Sequence, residues 1–121
     1  TVAILGLSFK PDTDDMRAAP SLGIIKALRK RKADIRVYDP VVRAATPGAP
    51  KDVVYATSAY DAAKGADVLA IVTEWNEFRR LNLTRIRRAM RRRAIVDLRN
   101  VYEPEAVRRL GFAYLSIGRP E

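Results

Sequence analysis

The segment Gly6-Leu7-Ser8-Phe9-Lys10-Pro11-Asp12-Thr13-Asp14-Asp15-Met16-Arg17 holds one lysine and one arginine in a polar stretch, and Arg99 lies in a second polar stretch far downstream. Lysine is a compact, mobile charge, whereas arginine is a planar fork that binds phosphate through two parallel hydrogen bonds. Lys10, Arg17 and Arg99 therefore fit an anionic ligand such as a phosphate. The competing account is ion pairing with Asp14, Asp15 or Asp97, and spacing alone leaves both open. Trp75 and Phe78, three apart on one helical turn, offer a flat wall for a base or simply fill a core. Core filling is favoured, because lone aromatics after a central strand usually occupy volume.

Other chemistries are excluded by what the chain lacks. With no Cys there is no thiolate nucleophile and no disulfide, and with no His the commonest general base and metal ligand is missing. Asp12, Asp14 and Asp15 are too crowded in sequence to act as a separated carboxylate pair. No catalytic residue and no metal site is expected. Gly6 permits a tight turn, but no second and third glycine follow at dinucleotide-binding spacing. Asp39 stands where such a domain carries its ribose-binding carboxylate; without the glycines, Asp39-Pro40 reads as a turn.

These residues must be positioned by alternating strands and helices, the pattern of a parallel sheet covered on both faces. Strands are expected at 2–5, 35–38, 53–55, 68–72, 94–96 and 112–115. Helices are expected at 20–32, opened by Pro20, at a short segment capped by Ser58 with Asp61 and stopped at Gly65, at 82–92, and from Pro104 to Gly111. In such a sheet the strand exits share one edge, where ligands bind, so the loops 6–17, 73–78 and 97–102 should converge.

At 121 residues the chain is expected to form a single domain, 1–121, around one core. It begins within a strand and without Met, which suggests that it was cut from a longer polypeptide. No apolar run reaches the roughly 20 residues that span a bilayer, and no secretion signal opens the chain, so a cytoplasmic location is expected. The net charge of +9 is dominated by arginine, notably Arg79, Arg80, Arg85, Arg87, Arg88 and Arg91 to Arg93. Such a surface can attract nucleic acid. However, Leu83, Ile86 and Met90 form a helical stripe within the same stretch, so a solvated face or a contact surface for missing parts of the protein is the favoured account.

The motifs Gly6 to Arg17, Ala19-Pro20-Ser21, Tyr38-Asp39-Pro40, Gly65-Ala66-Asp67, Thr73-Glu74-Trp75 with Glu77-Phe78, and Asp97-Leu98-Arg99-Asn100 occur in order, with compatible gaps, and the likeness runs to Gly118-Arg119. Together they closely resemble the C-terminal domain of the UDP-glucose 6-dehydrogenases; the related UDP-N-acetylmannosamine and GDP-mannose dehydrogenases share that domain. The resemblance implies an α/β, Rossmann-like three-layer domain with a mainly parallel sheet of about six strands. It implies the UDP-binding lobe of an NAD-dependent enzyme that oxidises UDP-glucose to UDP-glucuronate, inactive by itself. The NAD and the reactive cysteine would belong to an N-terminal domain, and a long central helix would mediate a homodimer. Carried over by position, Phe9 and Lys10 meet the nucleotide and phosphates, Arg99 is directed at the substrate, and Arg17 reaches the NAD pyrophosphate. Asp14 and Asp15 would orient Lys10 and Arg17. Neither nucleic acid nor membrane is expected as a partner.

Overall fold

The structure, a computed structural model, describes residues 1–117; Gly118 and Arg119, where the resemblance ends, lie outside them. The chain runs β1 (Val2–Leu5), α1 (Pro20–Lys30), β2 (Ile35–Tyr38), β3 (Val54–Tyr55), α2 (Ala59–Ala63), β4 (Val68–Ile71), α3 (Asn76–Arg79), α4 (Leu83–Ala89), β5 (Ala94–Asp97), α5 (Pro104–Arg109) and β6 (Ala113–Ser116). The strands form one sheet in the order β3-β2-β1-β4-β5-β6, and every pairing is parallel. This is the expected α/β Rossmann-like arrangement. The strand order reverses beside β1, which is the switch point where ligands bind in such sheets.

Side chains alternate across the pleat and build a core on each face. Ile4, Val37 and Ala70 point toward α1, with Ile25, Met16 and Val42 packed on them. Ala3, Leu5, Leu69, Ile71 and Ile95 point the other way, under Phe78, Ile86 and Val107 from α3, α4 and α5. Phe78 is fully buried and Trp75 nearly so, so both fill the core as expected. Burying a side chain of Phe78's size stabilises the fold by about 1.5–3 kcal/mol. Among the described residues no helix is long and apolar enough to cross a membrane.

Two helices are shorter than their sequence pattern. α1 ends at Lys30 rather than 32, because Lys32 adopts φ +60° and the amide of Ala33 turns back to the Leu28 carbonyl at 3.2 Å. α4 ends at Ala89 rather than 92, because Met90 is extended and the amides of Arg91 and Arg92 donate instead to the Ala66 carbonyl at 2.9 and 3.3 Å. The Ser58 cap is present: its Oγ accepts from the Asp61 amide at 3.0 Å, and Asp61 Oδ2 accepts from the Thr57 amide at 2.9 Å.

Candidate functional site

The site is organised by the loop leaving β1, which is fastened from three directions. Gly6 turns the chain at φ +94° and lies so close to Thr73 that a β-carbon there would stand 2.5 Å from the Thr73 Cβ and 2.6 Å from its amide nitrogen. Only glycine combines that backbone angle with that approach. Thr73, at the exit of β4, donates its hydroxyl to the Ser8 carbonyl at 2.8 Å. From the other side, the buried Asp39 carboxylate at the exit of β2 accepts the amides of Leu7 and Ser8 on Oδ2, at 2.8 and 3.3 Å. Its Oδ1 accepts those of Val41 and Val42, at 2.9 and 2.8 Å. From α1, the Ser21 hydroxyl donates to the Leu7 carbonyl at 2.6 Å. Asp39 is thus more than the opening of a turn. It holds two strand exits together, a role hidden from sequence because its partners lie 31 and 32 positions away.

Phe9 and Lys10 emerge from this anchored loop into solvent, Phe9 with 48% of its surface exposed. The Phe9 amide closes the loop onto the Asp15 carbonyl at 2.8 Å. The Lys10 ammonium makes no ion pair among the described residues, although its charge helps to lower the pKa of Asp15.

The other two cations are paired. Arg17 grips Asp15 through Nε and Nη2, both at 3.0 Å, and those hydrogen bonds hold the Asp15 carboxyl at about 2, below its ordinary 3.8. Arg17 lies on the β2 side of the rim, at an open cleft of about 670 Å³ shared with Met16, Leu22, Thr46 and Gly48. Of the two expected orienting carboxylates, Asp15 does hold Arg17; no bond from Asp14 to Lys10 is present among the described residues. Arg99 lies on the β5 side and pairs with Glu74, with Nε at 2.8 Å and Nη2 at 2.7 Å. Asp97, the partner considered from sequence, is instead fully buried. It accepts the amides of Arg99, Val101 and Tyr102 at 3.1, 2.8 and 3.0 Å and the Tyr114 hydroxyl at 2.7 Å, and so shapes the loop that carries Arg99.

The sheet order explains how the loops meet. β1, β4 and β5 are neighbours, so Ser8 touches Thr73 and Glu74 touches Arg99 along one carboxyl rim. All three cations lie on loops leaving the carboxyl edge of the sheet, Lys10 and Arg17 after β1 and Arg99 after β5, and Arg17 and Arg99 are held by different carboxylates. Tyr38, at the end of β2, is pushed up to about 12 by burial, reinforced by the Glu77 carboxylate, so it stays protonated at neutral pH.

Part of the basic stretch is tied to the fold, although all of its arginines but Arg87 are exposed. The Arg85 guanidinium lies 3.9 Å from the Tyr60 ring centre, Arg87 donates to the Leu110 carbonyl at 2.7 Å, Arg79 donates to the Val101 carbonyl at 3.3 Å, and Arg91 and Arg92 flank Asp67 at 3.9 and 3.6 Å.

Residues 3–104 match the family model described as UDP-glucose/GDP-mannose dehydrogenase family, UDP binding domain. The chain belongs to this family. The UDP-glucose 6-dehydrogenases of Rhizobium meliloti and Pseudomonas aeruginosa are 43% and 45% identical to this UDP binding domain, each over 99% of the chain and 28% of their own length. The chain thus spans little more than a quarter of these relatives. Among solved structures, an NDP-N-acetyl-D-galactosaminuronic acid dehydrogenase from Methanosarcina mazei superimposes with a TM-score of 0.84 at 30% identity, covering 98% of the domain and 24% of that chain. A UDP-D-ManNAc dehydrogenase from Pyrococcus horikoshii gives 0.79 at 34% identity, covering 98% and 25%.

Proposed function

We propose that this domain grips the UDP half of UDP-glucose within an NAD-dependent dehydrogenase, holding the sugar's C6 alcohol toward a catalytic domain supplied by the rest of the polypeptide. The anchored β1 loop carries this reading: it displays an exposed aromatic, Phe9, beside Lys10, a cation without an internal ion-pair partner among the described residues. Fastening by Asp39, Thr73 and Ser21 fixes that display before ligand arrives, which lowers the ordering cost of binding. Phe9 offers a face to the uracil, and Lys10 and Arg99 take the diphosphate. The strands that carry them are two spacings apart, about 10 Å, a gap that two long side chains close over one diphosphate.

Arg99 enters this role from its pair with Glu74, which aims the guanidinium along the rim. Arg17, beside the separate cleft, faces the NAD pyrophosphate once the other domain closes. NAD supplies the hydride acceptor there; this chain's residues bind and orient. Gripping a remote part of the substrate serves catalysis by fixing the reacting carbon in place. A homodimer of the whole enzyme and a cytoplasmic setting complete the proposal.

Isothermal titration with UDP tests it. Lys10→Ala should weaken UDP binding about tenfold or more, since a charge-assisted hydrogen bond contributes about 1.5–3 kcal/mol. Equal affinity of the two proteins would remove Lys10 from the site and the reading with it.

A further inference from the structure

Cations that the nucleotide site does not use gather at the opposite edge of the sheet. Every pairing is parallel, so all six strands start at that edge, and each helix that leads into a strand ends there. Backbone hydrogen bonds tie these starts together. The Val2 amide donates to the Asp34 carbonyl at 2.8 Å, the Asp67 amide to that of Thr1 at 2.8 Å, the Arg91 amide to that of Ala66 at 2.9 Å and the Ala113 amide to that of Arg93 at 2.8 Å. The segments entering the strands are basic. Residues 29–32, which close α1 and lead to β2, read Arg-Lys-Arg-Lys; Lys64 precedes β4; Arg88 and Arg91 to Arg93 precede β5. All of these residues are exposed.

The charge is not neutralised within the fold. The carboxylates in the segments entering the strands are Asp34, Asp52 and Asp67. Among the described residues only Asp67 lies within ion-pair distance of these cations, 3.9 Å from Arg91 and 3.6 Å from Arg92. A helix dipole favours cations in the last turn, which accounts for Arg29, Lys30 and Arg88. Arg31, Lys32 and Arg91 to Arg93 lie past the helix ends, so the dipole leaves them unexplained. The sequence holds no bilayer-spanning run and its order suggests no membrane partner, because these cations come together only through the fold.

We propose that this edge adsorbs the domain to an anionic lipid bilayer, with its cations on the phosphate headgroups. The patch extends in two dimensions. It runs from the start of β2 to the start of β5, three strand spacings or about 14 Å, and it draws on α1 at one face of the sheet and α4 at the other. That spread suits a plane of headgroups better than one phosphodiester strand. No aromatic side chain is exposed there to stack on a base: among the described residues Phe9 is the one exposed aromatic, and it stands at the far rim. The cleft at this edge, of about 360 Å³, carries Asp34, Asp52 and Arg36, and Arg36 is already paired with Asp61, so the cleft repels a phosphodiester. Adsorbed in this way, the domain turns Phe9 and Lys10 away from the bilayer, open to soluble ligands. The inference is independent of nucleotide binding and stands whether or not UDP binds.

Sedimentation of the full-length polypeptide with lipid vesicles tests it. Binding is expected to vesicles of phosphatidylcholine mixed with phosphatidylglycerol, is expected to vanish on phosphatidylcholine alone, and should weaken steeply with added salt. Arg88→Gln, Arg91→Gln, Arg92→Gln and Arg93→Gln together should weaken it about a hundredfold or more, at about fivefold per surface cation, while circular dichroism stays that of the parent. A second variant, with Gln at residues 29–32, removes as many charges from a segment without ion pairs and should lose binding to a similar extent. Equal binding to neutral vesicles, no binding to anionic ones, or variants that bind like the parent would overturn the proposal. So would a duplex oligonucleotide bound more tightly than anionic vesicles at equal phosphate concentration, which would assign the patch to nucleic acid.

Discussion

The substitution Asp39→Asn keeps the shape of the side chain and removes its charge, and the structure indicates what that costs. The carboxylate accepts four backbone amides, two on each oxygen. A carboxamide has one acceptor end. Whichever way the substituted side chain turns, its NH2 group confronts two buried backbone N–H donors that no longer have a partner. The orientation that suffers least points NH2 at Leu7 and Ser8, because the Ser8 contact is already long at 3.3 Å. Stranding buried donors costs about 1–3 kcal/mol each, so Asp39→Asn should destabilise the domain by about 2–4 kcal/mol. That is a large part of the 5–15 kcal/mol typical of a domain. Urea unfolding followed by the fluorescence of Trp75, buried in the core, measures it. UDP affinity should fall as well, because the loop displaying Phe9 and Lys10 loses one of its three anchors. A stability change under about 1 kcal/mol would show that the four contacts do not hold in solution and would refute the anchored-loop argument.

Two further outcomes follow from the same loop. Gly6→Ala combines a left-handed backbone with a clash against Thr73, and should cost about 2–5 kcal/mol in the same unfolding assay; a near-neutral result would mean that Thr73 does not crowd the turn. The Asp15 carboxyl, held down by Arg17, should titrate near pH 2 by carbon-13 NMR, and in Arg17→Gln it should move back toward 3.8. Because the folded pKa lies below the ordinary one, the pair's stabilisation is fully present above about 3.8 and is lost as pH falls through about 2. A native midpoint near 4 would deny the pair.

Local pattern revealed most of the architecture. The runs Val2 to Leu5 and Ile35 to Tyr38 are strands in the places their apolar composition indicates, and Ser58 with Asp61 announces the start of α2. Gly65 and Gly111 mark the ends of α2 and α5, but the ends of α1 and α4 were less legible, because each is decided by a partner or a backbone angle that no sequence signal marks. Lys32 takes a left-handed angle without being glycine or asparagine, and Met90 leaves its helix so that Arg91 and Arg92 can reach Ala66. The site shows the same division. Lys10, Arg17 and Arg99 stand out by residue type, and the sheet does carry them to one rim. Asp15, two positions from Arg17, was legible as its partner, but the long-range partners were not: Arg99 finds Glu74 rather than Asp97 because β4 and β5 are neighbours, and Asp39 becomes an anchor only because β1 and β2 are. One hint was present, since Asp39, Thr73 and Asp97 each directly follow an apolar strand core or end it, at the edge where loops must be tied down.

The account depends on where a diphosphate comes to rest. A crystal structure with UDP bound decides it most directly. The account predicts the two phosphates within hydrogen-bonding distance of Lys10 and Arg99, with the uracil against Phe9. Phosphates found instead along the arginines of α4, or in the cleft beside Arg17 with Lys10 still in solvent, would contradict it.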